Sequence, residues 1–381
     1  MQYRTKTLAA ALATCLFSTS VWAADDSDEV AQMKRELLNL KHKVERLEKS
    51  RQTEKIPEVE GSRWFERIEL SSLVEVEAGY TDGSDGSESD LVLATVELGL
   101  DAQVTSWVNA HVLILYEEDE TDPPEFDEAI ITIANPDASH FSLAAGRMYV
   151  PFGNFDSAAV SDPLTLEIGE TRETAVQLGY TSDSFNLLAY GFKGNVHHAG
   201  RNHIDTYGLA LGYRQEAQGG GPGFEAGFSW ISDLADSDSL QQTVRDPDNL
   251  AHAVAGWSAH ATLHWQSFTL IGEYLTATDD FDAADLTFRG AGARPSAWNL
   301  ELDYGFEISG HGAELAIAWQ QTREALALEL PEKRWLAALS VGIYDQTTLS
   351  LEYAHDEDYG TDDGGSGEDT DTLTLQLAVE F

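Results

Sequence analysis

Residues 298–308 read WNLELDYGFEI, and this stretch decides the fold class because apolar and polar side chains alternate along it. In an extended strand successive side chains point to opposite faces, so Leu300 and Leu302 would share one face. Glu301 and Asp303 would share the other face. The spacing of two, rather than the 3.6 of a helix, predicts a β-strand with one apolar and one acidic face.

Similar alternating runs continue along residues 62–381. We count about sixteen of them, and they centre near residues 74, 97, 112, 130, 145, 178, 189, 210, 228, 260, 272, 303, 317, 339, 351 and 377. Each run has roughly the ten residues that a tilted strand needs to cross a membrane. Aromatic residues fall mostly near the ends of the runs, as in the interfacial girdles of membrane barrels, and the last run ends on Phe381.

The connections between these runs alternate in length. Short turns are expected near residues 105–106, 135–137, 182–183, 219–223, 266–267, 309–310 and 346–347. Longer acidic loops are expected at 82–90, 117–125, 151–174, 195–205, 233–252, 278–296, 321–332 and 356–371. A soluble β-sandwich has no reason to sort its connections by length. The alternation favours an all-β fold, a transmembrane antiparallel β-barrel of about 16 strands with both termini in the periplasm.

The N-terminus resembles a secretory signal. Arg4 and Lys6 precede an apolar run, and the segment ends at Ala23, so we expect residues 1–23 to be a cleaved signal peptide. Cys15 lies inside this run and is the only cysteine of the chain. A lipoprotein-type site at Cys15 is the alternative, although Thr14 fits it poorly. If residues 1–23 are cleaved, Cys15 is removed, and the mature chain has no disulfide, thiolate metal site or cysteine nucleophile.

Residues 24–61 are predicted to form a periplasmic coiled-coil helix and a linker. Apolar residues recur there at alternating spacings of three and four, which are the a and d positions of a coiled coil. The predicted oligomerisation residues are Val30, Met33, Leu37, Leu40, Val44 and Leu47. The alternative is a single amphipathic helix lying on another surface. Because three heptads are few, the coil would work beside a larger interface, and we expect a homotrimer.

The charge of residues 62–381 is strongly negative. This part holds 13 of the 23 Lys and Arg residues and 56 of the 66 Asp and Glu residues, so it carries the net charge of −43. Such a field favours cations and disfavours anions, and it excludes nucleic acid as a partner. Many of the acids belong to solvated loop tips, which a high-salt habitat would also explain.

Other acids lie on the polar side of the predicted strands, where they would face a wet lumen. The predicted lumen-facing residues are Glu69, Glu75, Glu77, Glu97, Asp101, Glu301, Asp303 and Glu307. Carboxylates at these positions would line an aqueous channel that prefers cations.

The third long loop, 151–174, mixes acidic and apolar residues, which a freely solvated loop does not need. We expect it to fold into the bore, with its apolar residues packed on the wall and its charges at a constriction. The predicted constriction residues are Asp156, Asp162, Glu167, Glu170, Arg172, Glu173 and Arg147.

The chain shows no motif for catalysis or cofactor binding. There is no Gly-x-Ser-x-Gly, His-Glu-x-x-His or phosphate-binding loop in the sequence. Histidines cluster at 197, 198 and 203 and at 260 and 264, but exposed loop histidines are seldom metal ligands. We expect no catalytic residues, no metal and no cofactor. An enzyme active at the rim and an adhesin-like or structural barrel remain alternative functions.

Two motifs carry a resemblance to a known family. MYVPFGNF at 148–155 and SDPLTLEIGETRE at 161–173 resemble the signature of the LbtU-type siderophore porins of Gram-negative bacteria. The resemblance implies outer-membrane uptake of ferric siderophore without a plug domain. About 320 barrel residues are too few for the twenty-two strands of a plugged transporter.

The sequence as a whole predicts a porin of the cell outer membrane. Its expected partners are outer-membrane lipid and lipopolysaccharide, a small solute or ferric siderophore, and further copies of the chain. A general nutrient or cation porin without siderophore specificity is the alternative.

Overall fold

The computed structural model describes residues 67–84, 86–118, 121, 123–198, 200, 203–217 and 220–381. Its strands are β1 Ile68–Gly83, β2 Gly86–Gln103, β3 Val108–Tyr116, β4 Glu125–Ala134, β5 Phe141–Tyr149, β6 Arg172–Thr181, β7 Phe185–Phe192, β8 Thr206–Gln215, β9 Gly223–Ile231, β10 Gly256–Trp265, β11 Phe268–Ala277, β12 Thr287–Phe288, β13 Ala291–Gly292, β14 Ser296–Ile308, β15 His311–Arg323, β16 Lys333–Tyr344, β17 Thr347–Glu357 and β18 Asp369–Glu380. Two short α-helices, α1 Leu164–Gly169 and α2 Asp238–Thr243, lie in long loops. The predicted signal peptide and coiled coil lie outside the described residues.

Sixteen of the strands form one closed antiparallel barrel. Each is hydrogen-bonded to its neighbours in chain order, and β1 closes the ring by pairing with β18. The strands β12 and β13 form a separate hairpin inside the connection between β11 and β14. The all-β class and the sixteen antiparallel strands predicted from the alternating runs are confirmed.

The last residue takes part in closing the barrel. The Phe381 N–H donates to the Ser72 carbonyl at 3.0 Å, and the Ser72 N–H donates to the Phe381 carbonyl at 2.8 Å. Closure leaves no barrel strand with a free edge, so the backbone of every strand is paired on both sides.

The short and long connections lie at opposite ends of the barrel, and we call these the turn end and the loop end. One predicted loop is wrong, because residues 82–90 belong largely to β1 and β2. Thr81 pairs with Glu88, and Gly83 pairs with Gly86. The composition of this stretch is typical of a loop. The backbones of β1 and β2 nevertheless remain hydrogen-bonded to each other through it, which composition alone does not reveal.

Side-chain exposure alternates as the sequence predicts. Along β14, Leu300 and Leu302 are 42% and 45% exposed, whereas Glu301 and Asp303 are 1% and 2% exposed. The apolar residues thus form the outer surface and the acidic residues point inward.

A β-bulge changes this pattern on β2. The pairing shifts between Glu75 and Glu77, so that Val92 lies on the inward face and Leu91 on the outward face. Strict alternation along this run would place Val92 on the same face as Val96, and the bulge prevents this because it inserts one extra residue.

A hydrophobic cluster joins several of the long loops to the inner wall. Its large members from the loops are Phe152, Leu164, Ile168, Leu234, Leu240, Leu250, Val254, Phe281, Leu286, Leu328 and Leu330. Leu275 and Phe192 contribute from the wall. Burying one such side chain stabilises by about 1.5–3 kcal/mol. The loops at this end are therefore held by a shared core rather than lying free in solvent.

Gly146, in the middle of β5, cannot be replaced without cost. Its φ is +146°, and an added Cβ would lie 2.0 Å from the backbone oxygen of Ala129 on β4. We expect Gly146→Ala to lower the fraction of barrel that remains folded on a heat-modifiability gel. Gly272→Ala is the matched control, because its Cβ would meet nothing closer than a side-chain carbon at 3.9 Å. Equal behaviour of both variants would contradict the expectation.

Candidate functional site

The candidate site is built by the loop that joins β5 to β6, residues 150–171, which we call the crossing loop. Its hydrogen bonds reach inward side chains of β11, β14, β15 and β17. Around the ring, β15 lies almost opposite β5 and β6. A loop rooted on one side and bonded to the inner face of the other side crosses the lumen.

Glu273 on β11 holds the first part of the crossing loop. Its carboxylate accepts the N–H of Asn154 at 2.8 Å and that of Phe155 at 3.0 Å. It also accepts the hydroxyls of Thr165 at 3.1 Å and Ser258 at 2.7 Å. Four donors satisfy this buried carboxylate without a cation, which removes much of the cost of its burial.

Glu301 on β14 holds the next residues of the loop. It accepts the Ala158 N–H at 2.6 Å and the Ser157 hydroxyl at 2.8 Å. Glu301 was predicted to face the lumen, and its carboxylate points inward but is occupied by the loop.

Glu352 on β17 holds the far end. Its carboxylate accepts the N–H groups of Val160 and Ser161 and the Ser161 hydroxyl. Donor pairs therefore recur every three residues along 154–161, each facing one wall carboxylate. We call Glu273, Glu301 and Glu352 the anchoring carboxylates.

The helix α1 follows this segment and is buried on all sides. Leu164 and Ile168 are fully buried in the hydrophobic cluster, and the Leu164 N–H donates to Gln320 Oε1 at 3.1 Å. Because Pro163 precedes the helix and has no side-chain cap to offer, the wall amide of Gln320 takes one of the free N–H groups of the first turn.

A second loop, between β9 and β10, braces α1 through α2. The Asp238 N–H donates to the Glu170 carbonyl at 2.8 Å, and the Arg172 N–H donates to Asp238 Oδ1 at 3.2 Å. Burial raises the pKa of Glu170 well above its usual range, and the nearby charges of Asp238 and Asp162 raise it further. Burial also raises the pKa of Asp238 to about 6, although the Arg172 N–H and guanidinium oppose the shift.

This pKa makes the bracing pH-dependent. The pKa of Asp238 is about 6 in the folded state and 3.8 in the unfolded chain. Its contribution to the stability of the folded state is therefore complete below about pH 3.8 and is lost as the pH rises through 6. We expect amides of α1 and α2 to exchange faster at pH 7.5 than at pH 5 after correction for intrinsic rates. Asp238→Asn should flatten this difference, and an unchanged pH dependence in that variant would assign it to another group.

The structure separates the seven predicted constriction residues. Asp156 is exposed on the crossing loop and interacts electrostatically with Arg214 of β8. Asp162 is half-buried, near Arg334 and Glu170. Glu167 is buried within α1.

The remaining predicted constriction residues lie at the root of the loop or beside it. Arg172 is paired with Glu125 at 2.7 Å and with Asp127, so it is braced against β4. Glu173 accepts from the Asn195 side-chain amide at 2.6 Å. Ala129 and Thr174 are the register partners of Arg147, and both are exposed. Because register partners share a face of the sheet, Arg147 lies on the outward face of the wall.

The predicted lumen-facing residues on β1 and β2 differ in their environment. Glu75 is buried, and Glu77 accepts the Gln376 amide at 2.7 Å. Glu69 pairs in register with Asp101, and both are exposed. Asp101 contacts His111 Nδ1 at 2.9 Å.

The other predicted lumen-facing residues are placed as follows. Glu97 is half-buried on β2, Asp303 is buried on β14, and Glu307 is exposed at the turn end of β14.

Several residues of the site were missed by sequence reasoning. Glu273, Glu352 and Gln320 occupy inward positions of their strands, and alternation could have shown that much. Arg334 on β16 makes a two-pronged pair with Asp356 at 2.7 and 2.8 Å and also feels the charges of Glu352 and Asp162. A cation therefore stands beside the far anchor of the crossing loop.

No three His, Cys, Asp or Glu side chains among the described residues are grouped to hold a metal ion. Within the same residues, no helix has the length and apolar character to span a membrane.

Comparisons with known proteins identify relatives by sequence. No protein-family model matches the chain. The chain is similar to a UPF0422 protein of Coxiella burnetii, with 32% identity over 302 residues covering 77% of this chain and 65% of that protein. It is also similar to a UPF0422 protein of Legionella pneumophila, with 28% identity over 361 residues covering 82% and 66%. The chain thus spans just under two thirds of the length of these relatives.

Several solved structures with a similar fold are outer-membrane channels. They include the channel DcaP of Acinetobacter baumannii (TM-score 0.56, 15% identity, 82% of this chain and 97% of that one). An anion-selective porin from Comamonas acidovorans (TM-score 0.57, 12% identity) covers 82% and 99%. OmpF of Salmonella typhi, in complex with daunomycin (TM-score 0.57, 13% identity), covers 82% and 97%. At these identities the likeness shows a shared barrel fold.

Proposed function

We propose that the protein is an outer-membrane porin through which small solutes diffuse along a lumen narrowed by the crossing loop. The observation that carries the proposal is the loop itself, which crosses a sixteen-stranded barrel and is bonded to its far wall by Glu273, Glu301 and Glu352. Barrels of this size leave room for an aqueous channel. Lipid and lipopolysaccharide would surround the barrel, with the loop end outside the cell and the termini in the periplasm.

We further propose that the channel prefers cations and is not an enzyme. The chain carries a formal net charge of −43, and residues 62–381 hold 56 of its 66 acidic residues but only 13 of its 23 Lys and Arg residues. In a narrow passage with low-dielectric walls, such charges act on every passing ion. Exposed acids at loop tips act much less, because salt screens them within about 8 Å.

Neutralising loop acids tests this preference. Changing Asp156, Asp162, Glu167, Glu170 and Glu173 to Asn or Gln should move the reversal potential in a salt gradient toward zero. Because Asp156 is the most exposed of them, we expect Asp156→Asn alone to give most of the shift. The control neutralises five acids of the loop tip, namely Asp358, Asp362, Asp363, Glu368 and Asp369. Equal shifts from both sets would place the loop acids outside the conducting path.

The resemblance to the LbtU-type siderophore porins supports a finer proposal, uptake of ferric siderophore. The two resembling motifs, 148–155 and 161–173, coincide with the root of the crossing loop and with α1. Radiolabelled ferric siderophore should enter proteoliposomes containing the protein faster than a neutral sugar of similar mass. Equal rates would leave the alternative, a general nutrient or cation porin.

We also propose a homotrimer, supported by the predicted coil at 24–61. OmpT, an outer membrane protein of Vibrio cholerae described in a trimer form, shares the fold with a TM-score of 0.52 and 11% identity.

A further inference from the structure

Phe155 has a backbone conformation that is unusual for a large apolar residue. Its φ is +58°, in the left-handed region that glycine and asparagine favour. Of the non-glycine residues in this region within the described part of the chain, Phe155 is the only aromatic one. Gln266, Ser309 and Gln346 adopt it in short turns at the turn end, whereas Phe155 lies inside the crossing loop. Such strain persists only where the surroundings fix it, and it is concentrated at functional sites.

The ring of Phe155 lies against two glycines. A Cβ added at Gly153 would lie 2.1 Å from Phe155 Cζ, and a Cβ added at Gly169 would lie 2.9 Å from the same atom. Neither glycine can therefore carry a side chain while the ring stays in place. Gly153 belongs to the first part of the crossing loop, and Gly169 is the last residue of α1. The ring thus joins the beginning of the loop to its returning end.

The backbone that leads to Phe155 is held by the wall. The Gly153 N–H donates to Ser229 Oγ at 2.9 Å. The N–H groups of the next two residues donate to Glu273, at 2.8 and 3.0 Å. These bonds fix the main chain, and the contacts with the two glycines fix the direction of the Phe155 side chain. Backbone and ring are therefore held by separate parts of the structure.

Asp156 follows Phe155 directly, and its side chain is exposed. The next anchor begins at Ser157 and Ala158, which donate to Glu301. Asp156 thus lies between two wall-bonded segments. A change of Phe155 from the left-handed to an extended conformation would rotate the side chain that follows it relative to the anchored backbone. Holding Phe155 therefore determines where the Asp156 carboxylate points.

We propose that Phe155 is a positioning residue for Asp156. The ring, held between Gly153 and Gly169, keeps the left-handed backbone that presents the carboxylate to the conducting passage. A charge held at one place in a narrow passage acts on every passing ion, whereas a charge that moves among several places has a weaker average effect. The inference rests on the proposed function, in which Asp156 gives most of the cation preference.

A nitroxide spin label attached at Asp156→Cys tests the positioning directly. Cys15 is the only cysteine and lies in the predicted signal peptide, so the new thiol would be the only one in the mature chain. We expect the label to move more freely after Phe155→Gly than in the protein with Phe155. Glycine adopts the left-handed conformation readily, so this variant removes the ring without adding backbone strain. Equal spectra would overturn the inference.

Phe288→Ala is the matched control. Phe288 is also a partly buried ring that packs on the hydrophobic cluster, but it lies in β12 and contacts the Tyr359 ring. Its loss should leave the spectrum at position 156 unchanged, and a similar gain of motion would overturn the specific role of Phe155. Every variant must give the heat-modifiable band of a folded barrel. If Phe155→Gly does not fold, Phe155→Leu is the second variant, and the same comparison of spectra decides.

Reversal potentials in a salt gradient connect the position of the carboxylate to selectivity. In the Phe155→Gly background, we expect Asp156→Asn to move the reversal potential by less than half of the shift that it causes when Phe155 is present. An equal shift in both backgrounds would overturn the inference and leave the porin proposal intact. Absence of conductance in the unmodified protein would contradict the porin proposal, and the spin-label spectra would still decide the positioning.

Discussion

Replacing residues 156–166 with a short Gly–Ser linker is expected to raise the single-channel conductance severalfold. The narrowest section of a channel sets its resistance, and this segment spans the lumen between the anchors Glu273 and Glu352. Its removal would also expose Glu301 and Glu352, which now accept N–H groups of the loop. Because the deletion also removes Asp156 and Asp162, the variant is assessed by its conductance and not by its selectivity.

The control for this variant shortens another long loop by the same length. Residues 358–368 connect β17 to β18, and their removal should leave conductance nearly unchanged. Both variants must show the heat-modifiable band of a folded barrel, because the first removes Leu164 from the hydrophobic cluster. Equal conductance of the shortened and intact proteins would mean that the crossing loop does not set the resistance.

Changing the three anchoring carboxylates together to Gln is expected to turn a steady channel into a fluctuating one. A carboxylate accepts with both oxygens, whereas a Gln amide presents one acceptor and one donor. Glu273 and Glu352 each accept two backbone N–H groups of the loop, so the substitution at these two positions sets an NH₂ group against one of them. Hydrogen bonds to charged groups contribute about 1.5–3 kcal/mol each, so loss at three sites should free the segment 154–161.

The matched control changes three other strand acids, Glu69, Glu307 and Glu380, to Gln. None of these three bonds the crossing loop in the described structure, and the net charge changes by the same amount. The control should keep steady current levels, although its selectivity can shift. Steady currents from the anchor variant would show that the hydrophobic packing of α1 suffices to hold the loop.

The anchoring carboxylates explain how so acidic a chain can bury acids with few cations. Glu273 receives four donors, and none of them is a Lys or Arg. The compensation comes from backbone N–H groups of a loop that has no secondary structure of its own in this segment. Polar groups of the loop and of the wall thus satisfy each other.

The barrel could be predicted from the sequence because its determinants are local. Alternation along each strand and the sorting of turn lengths need no knowledge of distant contacts. The errors occurred where local pattern and pairing disagree. Residues 82–90 have loop composition but continue a ladder, and Val92 changes face because of a bulge.

The site could be predicted only in part. The mixture of acidic and apolar residues marked 151–174 as the unusual connection, but it did not identify the wall residues that hold it. Asn154 and Glu273 are 119 residues apart, and Val160 and Glu352 are 192 apart. Such contacts depend on which strands face each other across the ring, so a periodic pattern carries no signal for them. Arg147 shows the same limit, since its position after a positive-φ glycine on β5 does not reveal the face it occupies.

The most direct test is single-channel recording of the purified full-length protein in a planar bilayer under a salt gradient. We expect discrete, steady conductance steps, with a reversal potential on the cation-selective side that moves toward zero in Asp156→Asn. A folded, heat-modifiable barrel that gives no conductance steps would contradict the proposal that the protein is a porin.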